Sequence, residues 1–357
     1  MRIVEVQTEE EAAEILRSAQ EDGAAVIPRG GGTKSDWGNP PARTDVMLST
    51  VRLNRVLEHA WADLTVTVEA GCTIAELQRT LAQHGQRLAV DPLWPEKATV
   101  GGVLSANDSG SLRFRYGGLR DLVIGVNLAL ADGTLAKSGG KVVKNVAGYD
   151  LSKLVTGAFG TLGVITSATF RLHPLPKYTQ TVTAAIPSLG QTQQLLAKIL
   201  DSQLVPAAVQ VRAGAGAPQI DVLFEGTEEG IGVQVDRLRD MTPLTESGAE
   251  VWSRLDAEAK ISVLPAQIAE TLEGLDGYAV VEATGIGWVQ TSQLMPLREK
   301  IERAGGSLVL MRPFAGMDAW GNTAQNNGGG ALPLMRAIKK HFDPRGTLNP
   351  GVFVGGI

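Results

Sequence analysis

Three glycine clusters crowd residues 28–166, and they limit what the chain can become more than any other feature of it. They read PRGGGTK at 28–34, ATVGGVLSANDSGSLRFRYGGLRDLVIG at 98–125, and GGKVVKNVAGYDLSKLVTGAFGTLGVIT at 139–166. Glycine takes positive φ freely and lets backbone approach a ligand closely. Any one such loop can be a plain turn. Three in one stretch point to a large, extended ligand lying along the backbone.

The first cluster comes near two nucleotide motifs and satisfies neither. A P-loop requires GxxxxGK[ST] between a strand and a helix. Here Thr33 stands where the glycine before Lys34 and Ser35 belongs, and the following DWGNPPART does not open a helix. A dinucleotide fingerprint, GxGxxG, requires glycine at Ser35 and again a helix. What is left is a nest, in which consecutive N–H groups turn toward one anion such as a pyrophosphate, with Arg29 and Lys34 as charges at its rim. A hairpin loop using glycine for tight turning is the alternative, and the stretch alone does not decide between them.

The flanks place these loops on a framework. Thr8 and Glu11 form a capping box ahead of Ala12, Ile15, Leu16 and Ala19, which recur at helical spacing up to Gly23. AAVIP and DVMLST read as strands on either side of the first cluster, and LTVTVEAG alternates as a half-buried strand should. Thr73 and Glu76 cap a second helix. From Pro92 to about Leu175 helical periodicity is poor, while DLVIGVNLALADGTLA and GVITSATFRL read as strands around an Asp-Gly turn. HPLPKY at 173–178 marks a boundary, beyond which strand and helix units predict an antiparallel sheet covered by helices. The tail LPLMRAIKKHFDPRGTLNPGVF reads as a closing helix followed by an extended segment. The fold class is α+β.

At about 150 residues per domain, 357 residues make two. Thirty-three Lys plus Arg against 38 Asp plus Glu gives a net charge of −5, which supplies no basic surface for nucleic acid. A single cysteine, Cys72, excludes an internal disulfide, a Cys-rich zinc site and an iron–sulfur cluster held by this chain alone. The start, MRIVEVQTEEEAAEIL, is too acidic and polar for a signal or transit peptide, and no apolar run reaches the ~20 residues that span a bilayer. The expected location is cytoplasmic, with any membrane association peripheral and through partners.

Taken in order, PRGGGT, ATVGG, RYG, RD, ADG, KNVAGYDL, GAFGTLGVIT and HPLP resemble the FAD-binding domain of the vanillyl-alcohol oxidase and p-cresol methylhydroxylase (PCMH-type) flavoproteins. The likeness covers residues 1 to about 176, and FDPRGTLNPG resembles the segment with which that family closes its chain over the flavin. Within the family, GGGTKSDWG and DAWG at 318–321 look most like the FAD-binding subunits of glycolate oxidases, the GlcE type. The resemblance implies an FAD-binding domain over 1–176, a smaller α+β cap domain over 177–330, and a segment 331–357 returning to the first domain. It implies that Pro28, Arg29, Gly30, Gly31, Gly32 and Thr33 cradle the pyrophosphate. Thr99, Gly101, Gly102, Asn107 and Gly110 would lie along the cofactor, and Gly160, Gly163, Val164 and Ile165 at its adenine half or ribose. Asp91, Tyr116, Asp121 and Asn349 complete the set. Relatives often anchor the flavin through a histidine or cysteine in these loops; neither occurs in 28–38 or 99–121, so the FAD is expected to be non-covalent.

The catalytic half of such a site is not legible. Oxidising a 2-hydroxy acid requires a cation for the carboxylate and a base or metal near the hydroxyl. The four histidines, His59, His84, His173 and His341, form no HxxH pair, so no metal site is expected. The histidine- and glycine-rich motif that catalytic relatives carry in the second domain has no counterpart between 177 and 330. Arg212 and Arg312 end strands and read as ordinary surface cations. Lys144, Asn145 and Tyr149 read equally as neighbours of the flavin ring and as turn and cap residues. For Trp37, Trp94 and Trp320 core or rim packing is the default. The resemblance therefore implies a flavin that accepts or relays electrons in a complex with a catalytic flavoprotein subunit and an iron–sulfur subunit, acting on a small 2-hydroxy acid. The alternatives are a stand-alone FAD-dependent dehydrogenase of D-lactate type, and a non-redox binder of a phosphate ligand.

Overall fold

Thr8 opens the first helix where its spacing predicts. In α1 (Glu9–Asp22) the Thr8 hydroxyl accepts the Glu11 N–H at 3.2 Å, and Gly23 closes the helix at φ 66. The Glu11 carboxylate takes the N–H of Gln7 at 2.7 Å, one residue before the cap. Ala12, Leu16 and Ala19 are buried with Val26, Leu48, Val164 and Leu348 in one apolar cluster. The computed structural model describes residues 1–140, 150–252, 257–313, 316–321 and 330–357. It divides into two units: Met1–Gly110, Gly117–Leu175 and Gly328–Ile357 form the first, Ser111–Tyr116 and Pro176–Asn327 the second.

In the first unit β1 (Arg2–Glu5), β2 (Val26–Arg29) and β3 (Val46–Ser49) form a parallel sheet in the order β1-β3-β2. The PRGGGTK loop leaves β2 and the chain re-enters as its parallel neighbour. A hairpin joins only antiparallel strands, so the hairpin alternative is excluded. A second sheet, antiparallel throughout, runs in the order β4 (Val56–Ala60), β5 (Thr65–Glu69), β9 (Val164–Arg171), β7 (Val123–Ala129), β8 (Leu135–Gly139). Gly133, at φ 80, makes the Asp-Gly turn between β7 and β8. Between these strands lie α2 (Ile74–Ala82), capped by Thr73, and the short β6 (Gln86–Arg87), which pairs with His173–Pro174. Val68, Leu77, Leu81, Leu104, Leu122 and Phe170 are at the centre of this core.

Among the described residues, four short helices fall between Pro92 and Leu175 where none was expected, the first of them the longest. Val100–Ala106 is a helix, α3, opened by Thr99, whose hydroxyl faces the N–H of Gly102 at 3.4 Å. Two adjacent glycines lower its intrinsic propensity by about 2 kcal/mol, which is why the sequence reads as loop. Tertiary fit overrides this: a Cβ on Gly101 would stand 2.8 Å from that of Ala70, so only glycine lets α3 seat there.

The tail is bolted to the same unit. From helix Ala331–Phe342 the Lys339 ammonium reaches Asp343 at 2.6 Å, the Leu348 carbonyl at 2.7 Å and the Thr161 carbonyl at 2.9 Å. Burial pushes the Lys339 pKa down, and Asp343 opposes that shift. Asp343 is itself buried and accepts the N–H groups of Thr347 and Leu348. Leu348 then lies parallel to Val26, so that the tail extends the three-stranded sheet beside β2.

The second unit holds an eight-stranded antiparallel sheet, strands 178–185, 208–213, 219–226, 245–247, 259–262, 278–282, 286–290 and 307–310. Helices Leu189–Leu200, Glu228–Arg239 and Leu294–Arg303 pack on it. Arg212, expected at the surface, instead grips the fully buried Asp221 through two bonds at 2.6 and 2.8 Å. Asp221 also accepts from Thr183 and Gln210, so Arg212 is committed to a structural network. Among the described residues, no helix is long and apolar enough to cross a membrane.

Candidate functional site

A cavity of about 400 Å³ opens in the first unit where β2, α3 and the tail meet. Its lining brings together Pro28, Arg29, Gly30, Gly31, Gly32, Thr33, Thr99, Gly101, Gly102, Gly160, Gly163, Val164, Ile165 and Asn349, far apart in sequence. Among the described residues, the N–H groups of Gly30, Gly31, Gly32 and Thr33 donate to no protein acceptor, while Ser35 and Trp37 already turn back on Gly32 and Lys34. Four consecutive donors with no acceptor among the described residues, beside a cavity, are what an anion-binding nest requires.

The glycines shape that nest by close approach. A Cβ on Gly30 would overlap the Thr99 hydroxyl, and one on Gly31 would overlap the Lys97 carbonyl oxygen. Gly32 sits at φ 71. The loop is thus pressed onto residues 97–99, with its N–H edge left over. Beside β2, Asn349, at φ 43, donates its side-chain amide to the Phe159 carbonyl at 2.6 Å. Its Oδ1 is buried and has no partner among the described residues, so a ligand donor is the natural complement.

Lys34 is not a rim charge. Its side chain is 7% exposed and its ammonium lies 3.2 Å from the Asp108 carboxylate, which is 0% exposed. Asp108 also accepts the Leu93 N–H at 2.9 Å. The Trp37 and Trp94 rings stand 5.5 and 5.8 Å from the Lys34 nitrogen, within cation–π range.

Five of the expected residues lie outside the lining and have local work. Gly110, at φ 80, leaves room for Asp91, whose N–H bonds the Ser109 carbonyl. Asn107 closes α3 in the left-handed region. The Asp121 carboxylate accepts the Gly118 N–H at 2.9 Å, and Tyr116, in the second unit, donates to Glu225 at 2.6 Å. Lys144, Asn145 and Tyr149 lie outside the described residues. Ser105 and Ala106 also line the cavity and escaped sequence reading because α3 itself did.

Among the described residues, no histidine or cysteine is in the lining. His59 faces Gln86 at 2.9 Å, and His84 stacks on Trp61. Cys72 is buried, and burial pushes its thiol up to about 11, so it is inert at neutral pH. Among the described residues, no group of three acidic, His or Cys side chains is placed to hold a metal.

Residues 2–139 match the family described as FAD binding domain, and residues 315–353 match FAD linked oxidases, C-terminal domain. The chain is 33% identical over 201 residues to glycolate oxidase subunit GlcD of Bacillus subtilis, covering 56% of this chain and 43% of that protein. It is 26% identical over 410 residues to D-2-hydroxyglutarate dehydrogenase of Xanthomonas citri pv. viticola, covering 96% and 86%. It is 32% identical over 209 residues to D-lactate dehydrogenase of Archaeoglobus fulgidus, covering 58% and 46%. The chain thus spans less than half the length of the first and third of these relatives. Two solved structures share the fold: p-cresol methylhydroxylase, with TM-score 0.77 and 16% identity over 98% of this chain and 88% of that one, and alkyldihydroxyacetonephosphate synthase, with TM-score 0.72 and 18% identity over 98% and 76%.

Proposed function

We infer from the match of residues 2–139 to the FAD binding domain and of residues 315–353 to the FAD linked oxidases, together with the likeness to named 2-hydroxy-acid dehydrogenases, that the chain is an FAD-linked dehydrogenase of small 2-hydroxy acids. FAD is its cofactor, bound without a covalent link. The observation that carries the reading is the row of N–H groups from Gly30 to Thr33, which have no acceptor among the described residues and would suit a diphosphate. Gly101 and Gly102 keep the wall near it low, and the side-chain Oδ1 of Asn349, in the same lining, offers an acceptor. When bound, FAD supplies the acceptor for the electrons of an oxidised alcohol.

The chain's own residues would bind and orient the cofactor, with Asn349, next to the Leu348 bridge to Val26, in the cavity lining. The substrate class rests on what the relatives are named for, D-lactate, D-2-hydroxyglutarate and glycolate. A base for the hydroxyl proton would not be a histidine of the second unit, because residues 176–327 contain none.

That same lack favours a second reading, in which the chain is a subunit of a glycolate oxidase complex, GlcE-like, working beside a catalytic flavoprotein and an iron–sulfur subunit. Anaerobic mixing separates the two. With the FAD-loaded chain alone, D-lactate, D-2-hydroxyglutarate or glycolate is expected to bleach the flavin within seconds to minutes. No bleaching by any of them would reject the stand-alone dehydrogenase and leave the subunit reading.

A further inference from the structure

Lys34 occupies an unusual position for a lysine. It follows directly on the four free N–H groups, its ammonium lies 3.4 Å from the Thr33 hydroxyl, and it is buried against Asp108. A buried ammonium is costly unless paired, and its cost is justified where a second anion is to be met. We propose that Lys34 is the fixed cation that recognises the diphosphate of the cofactor, with Asp108 holding its ammonium in place. The proposal rests on the reading of this cavity as the FAD site.

Three observations place the cation there. Lys34 is itself in the cavity lining, and the pair ties the first glycine cluster to Asp108, the residue after the C-cap of α3. The Trp37 and Trp94 rings flank the ammonium and limit its motion. Asp108 keeps the Leu93 N–H as a further donor, so its carboxylate remains served when Lys34 shares its charge with a ligand. A diphosphate then meets four amide dipoles and one full charge, whose charge-assisted bonds are stronger than neutral ones.

ADP and adenosine are the probes, titrated calorimetrically into the flavin-free chain, since they differ only in the diphosphate. Wild type is expected to prefer ADP. In the double variant Lys34→Met with Asp108→Asn, which leaves no lone buried charge, that preference falls about tenfold while adenosine binding is unchanged. In Asp108→Asn alone, where the amide oxygen still accepts from Leu93, the preference is kept or increased. A double variant that keeps the full ADP preference overturns the proposal. So does an Asp108→Asn variant that loses ADP and adenosine alike, since a purely structural clasp predicts that result; this arm decides even where the double variant fails to fold. A wild-type chain that binds neither FAD nor ADP would overturn instead the reading of the cavity itself.

Discussion

Replacing Gly31 with valine abolishes FAD retention and leaves the eight-stranded sheet of the second unit folded. An added Cβ would overlap the Lys97 carbonyl oxygen and stand 2.9 Å from the carbonyl carbon. That neighbour is backbone and cannot swing aside as a side chain would. Residues 30–33 must therefore lift off the 97–99 segment, and the four N–H groups lose the arrangement that would hold an anion. Overpacking of this kind costs about 1–3 kcal/mol where the surroundings yield, and more where they do not. A loss of about 3 kcal/mol in binding is roughly a hundredfold in affinity. Fluorescence titration with FAD reads the loss, and far-UV circular dichroism shows the retained strands. A variant with unchanged FAD affinity would remove the nest from the account.

Asp343→Ala is the second large effect, and it acts on stability. Asp343 is 2% exposed, pairs with Lys339 and accepts the N–H groups of Thr347 and Leu348. Alanine leaves a buried ammonium without its carboxylate and two buried donors without acceptors. Breaking one half of a buried pair costs about 3–5 kcal/mol. Unfolding of the first unit in urea is expected to shift by that amount; a shift below about 1 kcal/mol would show that the tail is only loosely attached.

The sign with pH follows from Lys339. Burial lowers its folded pKa below the ordinary 10.5, and Asp343 counteracts this. With Asp343 gone, burial acts unopposed, the unfolded chain binds more protons between the lowered folded value and 10.5, and the variant regains stability as pH rises through that window.

What the sequence could tell was local, and what it could not was pairing and depth. Thr8 and Thr73 cap helices because a hydroxyl three residues before a free N–H makes the same bond in any context. The strands flanking PRGGGTK were legible from composition. Their parallel registry was not, because the partner of β2 on its other side, Leu348, is more than 300 residues away. α3 was hidden by Gly101 and Gly102, whose low propensity is outweighed by packing on Ala70. Lys34 read as a rim charge of the nest and Arg212 as a surface cation because a sequence does not show the carboxylates, Asp108 and Asp221, that allow burial. Most of the cradle residues were reached only through resemblance to a family.

The central claim is a dissociable FAD in this cavity, and an absorbance spectrum before and after acid precipitation tests it most directly. The account predicts a flavin spectrum in the purified or FAD-reconstituted chain, with the colour passing wholly into the supernatant. A colourless protein that FAD does not reconstitute, or a yellow pellet, would contradict it.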